Sequence, residues 1–104
     1  MKEKLKHIKE TISKTAEKFG VKVEMILLFG SRARGDYKED SDWDILIVTR
    51  DKLDAEKKLN FWYEIYRNLD LPSDIIIVSK EAFEKHKKSR GFVYRYALQE
   101  GIVV

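Results

Sequence analysis

The residues best suited to chemistry are three aspartates and a Gly-Ser pair. Asp42 and Asp44 open the apolar run DWDILIV, and Asp74 opens a second run, DIIIV, in the same manner. Residues two apart on a strand leave the same face, about 7 Å from each other. If the two strands are neighbours, the three carboxylates meet at one end of the sheet. Three crowded anions repel, so one must take up a proton or the fold loses stability. A divalent cation removes the conflict, and hard carboxylate oxygens suit Mg²⁺, which completes its shell with waters and substrate phosphates. Just upstream, Gly30-Ser31 follows the apolar run VEMILLF. A glycine lets the backbone approach a ligand closely, and N–H groups at such a turn cradle anions. Ser31 adds a hydroxyl, and Arg32 and Arg34 add positive charge beside it. A phosphate cradle next to an acidic cation site describes a polyphosphate site, built for in-line attack on one phosphorus of a nucleoside triphosphate.

The elements that must hold these groups can be read from periodicity. Leu5, Ile8, Ile12, Ala16 and Phe19 recur at spacings of three and four, which predicts one helix closed by Gly20. Val23–Phe29 reads as a buried strand, and GSRARGDYKEDS as a polar loop whose beginning could start a short helix. Asp42–Val48 reads as a second strand, with Asp42, Asp44, Leu46 and Val48 on one face and Trp43, Ile45 and Ile47 on the other. Asp51 or Asp54 should cap a helix reaching Leu69, with Leu59, Trp62, Ile65, Tyr66 and Leu69 as its apolar stripe. That assignment sends Trp62 and Tyr66 into the core and leaves Phe61 or Tyr63 outside. Leu71–Val78 reads as a third strand, Ser79 as the cap of a helix to about Lys88, and the tail as a helical turn or two stopped at Gly101 before a short edge strand. The order helix, strand, loop, strand, helix, strand, helix predicts an α/β (α+β) fold, a small mixed β-sheet flanked by helices.

Composition narrows the class. A chain of 104 residues has room for one domain, residues 1–104, and 43% hydrophobic content is enough for one core. No cysteine is present, which excludes disulfides and thiolate zinc sites. No apolar leader or membrane-length run is visible, so the chain is expected to be soluble and cytoplasmic. Although 38% of the residues are charged, 21 Lys+Arg against 18 Asp+Glu leave a net charge of only +3, which argues against a dedicated nucleic-acid binder.

With those residues in view, GSRARGDYKEDSDWD resembles the signature of the nucleotidyltransferase superfamily related to polymerase β: Gly-Ser, ten residues, then Asp-x-Asp. More narrowly, the Ala-Arg-Gly after the serine, the short length and the LQEGIVV ending are similar to the minimal nucleotidyltransferase (MNT) family. The resemblance implies a partner and a reaction: an antitoxin paired with a helical ribonuclease toxin of the HEPN family, encoded by an adjacent gene, and transfer of AMP from ATP to a toxin tyrosine. It also implies that Asp42 and Asp44 hold two Mg²⁺ ions, that Asp74 completes one site and helps activate the attacking hydroxyl, and that Gly30 and Ser31 hold the β- and γ-phosphates.

Plainer readings stand beside these. Asp70 could replace Asp74 as the third acid, while Asp36, Glu39 and Asp40 read as solvated loop acids. Arg32 and Arg34 could be surface arginines or bind phosphate or a partner. His7 and His86 read as ordinary surface residues, and an outward aromatic, whether on the second long helix or among Phe92, Tyr94 and Tyr96, would suit a partner interface. A non-catalytic subunit that neutralises its partner by covering it, or an enzyme acting on a small molecule or RNA, are the alternatives to AMP transfer onto a protein.

Overall fold

The computed structural model describes residues 2–88, 94, 95, 97 and 101–104. Helix α1 (Lys2–Phe19) leads into strand β1 (Val23–Phe29), the four-residue helix α2 (Ser31–Arg34) and strand β2 (Trp43–Thr49). Helix α3 (Ala55–Leu69), strand β3 (Ser73–Ser79), helix α4 (Lys80–His86) and strand β4 (Ile102–Val103) follow. The strands form one mixed sheet in the order β3-β2-β1-β4, with β1 antiparallel to both β2 and β4 and β2 parallel to β3.

Alternation along the strands sorts the side chains into two layers. Ile26, Leu28, Trp43, Ile45, Ile47, Ile75 and Ile77 face α1 and α3, where they meet Ile8, Ile12, Phe61, Ile65 and Leu69. Leu27, Phe29, Leu46, Val48 and Val78 face the other way and pack with Phe83 of α4 and with Ala97. The caps follow the sequence. Gly20 turns out of α1 at φ +66°, the Asp54 carboxylate accepts from Lys57 N at 2.8 Å, and Ser79 Oγ accepts from Ala82 N at 3.2 Å. His7 does more than sit on the surface: its Nε2 lies 2.9 Å from Leu69 O, tying α1 to the last turn of α3. Nearer the C-terminal end of α1, Glu64 takes hydrogen bonds from Lys18 and Arg67, which hold its carboxyl below the usual carboxylate range. Among the predicted tail residues, Phe92 and Tyr96 lie outside the described set.

The predicted stripe of α3 needs correction. Phe61, Ile65 and Leu69 are buried, whereas Leu59 is 64% exposed and Tyr66 43% exposed. Phe61 is therefore inside and Tyr63 outside. Phe61 is chosen because Phe19 of α1 meets it ring to ring at 5.8 Å. Trp62 is half-buried at the sheet margin, where its indole N–H donates to Ile75 O at 3.1 Å and its ring stacks on Tyr66. Phe61→Ala is expected to destabilise the fold by about 3–5 kcal/mol, because it opens a cavity under the sheet. Tyr63→Ala should stay within about 0.5 kcal/mol. Urea melts of the two variants would distinguish this packing from the one that periodicity predicts.

Candidate functional site

The sheet brings the acids together by register. Asp44 is opposite Asp74 in the parallel β2–β3 ladder, so the two Cα atoms are about 4.8 Å apart and their side chains share a face. Trp43 is buried in the layer against α1 and α3, so its neighbours alternate to the opposite face, which places Asp42 with Asp44. The Trp43 N–H donates to Pro72 O at 2.8 Å, so the ladder begins one residue after Asp42. Asp42 and Asp74 are exposed, and Asp44 is half-buried. Asp70, the other candidate, is the C-cap of α3 in the left-handed conformation, φ 52°.

On the other side of β2, Phe29 pairs with Asp44, so the chain leaves β1 beside the acids. Gly30 makes the turn at φ +73°, ψ −159°, a conformation nearly confined to glycine. A Cβ built on it would run into Asp44 Oδ2 and come within 3.0 Å of Asp44 Cγ. Both the backbone angle and the carboxylate therefore demand glycine here. Helix α2 then starts at Ser31, with no side-chain cap on its N-terminus. Gly30 O accepts from Ala33 N and Arg34 N, and Gly35 closes the helix at φ +91°.

The two arginines take different positions. Arg34 is exposed and its Nε donates to Asp36 Oδ2 at 3.3 Å. Arg32 is buried, 9% exposed, with its guanidinium carbon over the rings of Tyr37 and Trp43, 4.4 and 4.6 Å from the centroids. A contact of this kind is worth about 0.5–1 kcal/mol at an exposed ring such as Tyr37 and about 2 kcal/mol at a buried one such as Trp43. Nη2 donates to Glu39 O and Ser41 O, both at 3.0 Å, so the guanidinium grips the loop that leads to Asp42. Residue types alone gave no sign of this.

Among the described residues, no three His, Asp or Glu side chains close into a group able to hold a metal ion as they stand. The donor chemistry fits a hard divalent cation even so: Asp42, Asp44 and Asp74 are oxygen donors on one face of adjoining strand starts. A cleft of about 410 Å³, lined by Thr49, Ser79, Lys52, Lys85 and Tyr94, opens at the other ends of β2 and β3. Five residues of strand, roughly 16 Å, separate it from Asp74. A smaller hollow of about 310 Å³, bordered by Tyr66, Arg67, Asp70 and Pro72, flanks the segment entering β3, next to the acidic edge. No helix among the described residues is long and apolar enough to cross a membrane.

Comparison with known proteins gives the family and the fold. Residues 7–93 match the family model described as "Polymerase beta, Nucleotidyltransferase". Over 99 residues, 95% of each chain, the sequence is 35% identical to a Methanocaldococcus jannaschii protein named "Putative protein adenylyltransferase MJ0604". The fold is similar to the crystal structure of a "putative nucleotidyltransferase from Sulfolobus solfataricus", with TM-score 0.60 and 27% identity, covering 95% of this chain and 77% of that one. It is also similar to a chain in the crystal structure of a toxin-antitoxin with AMP-PNP, with TM-score 0.61 and 23% identity over 90% of this chain and 69% of that one.

Proposed function

This chain belongs to the polymerase beta nucleotidyltransferase family, and from that premise we propose that it is a Mg²⁺-dependent protein adenylyltransferase, an antitoxin that moves AMP from ATP to a tyrosine of a HEPN-type ribonuclease toxin. One observation carries the reading: Asp44 and Asp74 face each other across adjoining parallel strands, with Asp42 on the same face and the Gly30 turn beside them. The adenylyltransferase name of the 35% identical relative supports the acceptor class, and the toxin-antitoxin neighbour supports the partner. An ATP substrate supports a cytoplasmic setting.

Asp42 and Asp44 would hold two Mg²⁺ ions, and Asp74 would complete one of the two sites. When bound, the ions neutralise the triphosphate and the charge that develops on it during displacement. Gly30 and Ser31 would turn backbone N–H groups and the serine hydroxyl toward the β- and γ-phosphates. Arg34 stands at the exposed end of α2, where it can add charge. The tyrosine oxygen attacks the α-phosphorus, the bond to the β-phosphate oxygen breaks, and diphosphate leaves. The phenolic proton passes to Asp74, which borders solvent and can release it.

Asp42 and Asp74 are exposed, so an acceptor can approach the acids from solvent. A row of exposed side chains on α3, Leu59, Tyr63 and Tyr66, gives such a partner apolar contact. The same row favours a second reading, neutralisation by coverage alone. To test the first, the chain is incubated with ATP labelled at the α-phosphate, Mg²⁺ and the protein encoded next to it. Label is expected on a tyrosine of that protein. Label that never leaves ATP in the presence of a tightly bound partner would rule out transfer and leave coverage.

A further inference from the structure

We propose that Arg32 is a positioning residue, one that sets the place of Asp42 by locking the loop between α2 and β2. The idea rests on the reading of the acids as cation ligands, and it assigns Arg32 to the loop rather than to phosphate. Asp42 sits between two fixed peptides. The carbonyl before it, Ser41 O, receives Arg32 Nη2 at 3.0 Å and Nε at 3.3 Å. The N–H after it, on Trp43, donates to Pro72 O at 2.8 Å, two residues before Asp74. Arg32 thus fixes one side of Asp42, and the strand that carries Asp74 fixes the other.

The loop is built to receive this grip. Ser41 N donates to Lys38 O at 3.0 Å and Lys38 N donates to Ser41 Oγ at 2.8 Å, which closes a turn over Glu39 and Asp40. Glu39 O, inside that turn, takes another bond from Nη2. The guanidinium carbon also lies over the rings of Tyr37 and Trp43 while its N–H groups bond the turn. A planar fork can contact rings and bond two carbonyls at once; a lysine ammonium is a point charge with no face. The loop acids Glu39 and Asp40 are exposed, so the buried contact to this turn is made through its backbone.

The test uses Arg32→Gln and Arg32→Lys in the intact chain, with Tyr37→Leu as a milder variant that removes one ring at a half-exposed position. Three quantities are read: amide exchange of residues 39–42, Mn²⁺ affinity by electron paramagnetic resonance, and kcat and KM for ATP. Faster exchange confined to the loop is expected, with Mn²⁺ bound about 10-fold more weakly, a lower kcat and a nearly unchanged KM for ATP. Tyr37→Leu should fall between these variants and wild type. Unchanged exchange in Arg32→Gln overturns the lock. Faster exchange with unaltered Mn²⁺ affinity overturns the positioning role, as does wild-type protein that binds no Mn²⁺. A raised KM for ATP with intact Mn²⁺ binding would return Arg32 to the phosphates. Absence of AMP transfer by wild type sinks the proposed function but leaves exchange and Mn²⁺ affinity to judge Arg32.

Discussion

Replacing Asp42 and Asp44 together by asparagine is expected to reduce AMP transfer by about 10³-fold or more, in line with the loss of groups that offset transition-state charge. Asparagine keeps the shape and removes the charge, so the fold should survive. In metal-free buffer it should even gain slightly, since Asp44 and Asp74 are like charges directly across a ladder, an arrangement that destabilises a sheet. Wild type should melt higher when Mg²⁺ is added, because a ligand that binds only the folded state stabilises it. The double variant should lose that response. Transfer and melting, measured with and without Mg²⁺, check both halves of the expectation. The variant also separates the two readings of neutralisation. If it protects against the partner as well as wild type does, coverage is sufficient; if protection disappears with transfer while binding persists, the reaction is what protects.

Gly30→Ala should damage stability and activity at once. The residue stands at φ +73°, ψ −159°, where any side chain is strained by about 1–3 kcal/mol. The added methyl also meets the Asp44 carboxylate, which would have to swing away from the acidic edge. Each kcal/mol lost corresponds to about 4–8 °C in the melting temperature of a domain near this size. Gly20→Ala is the fitting control, since Gly20 too has a positive φ, +66°, but a Cβ there meets nothing within 4 Å. Both variants should melt earlier. Only Gly30→Ala should lose transfer and Mn²⁺ binding when assayed well below its melting temperature.

The strands and their faces were legible because alternation is a short-range signal. Ile45 and Ile47 had to oppose Leu46 and Val48 whatever the rest of the chain did, and that fixed the side on which Asp44 emerges. The alignment of Asp74 with Asp44 was only conditional, since it depends on which strands become neighbours. Helix α3 was misread for a related reason. Leu59, Phe61, Trp62, Tyr63, Ile65, Tyr66 and Leu69 are dense enough to define two overlapping stripes, and periodicity cannot choose between them. The choice is tertiary: Phe19 claims Phe61, and the indole N–H of Trp62 needs the Ile75 carbonyl, which holds that ring at the margin. Arg32 was illegible in a deeper sense. Its partners are carbonyls of an irregular loop, and every residue has a carbonyl, so residue type carries no trace of the contact.

The order in which the strands pair has a consequence for synthesis. A growing polypeptide presents Gly30, Asp42 and Asp44 early, on the antiparallel pair β1 and β2. Asp74 joins them only after α3 has crossed over and β3 has docked alongside. The acidic edge is therefore completed in one late step of translation, when Asp74 comes to lie opposite Asp44.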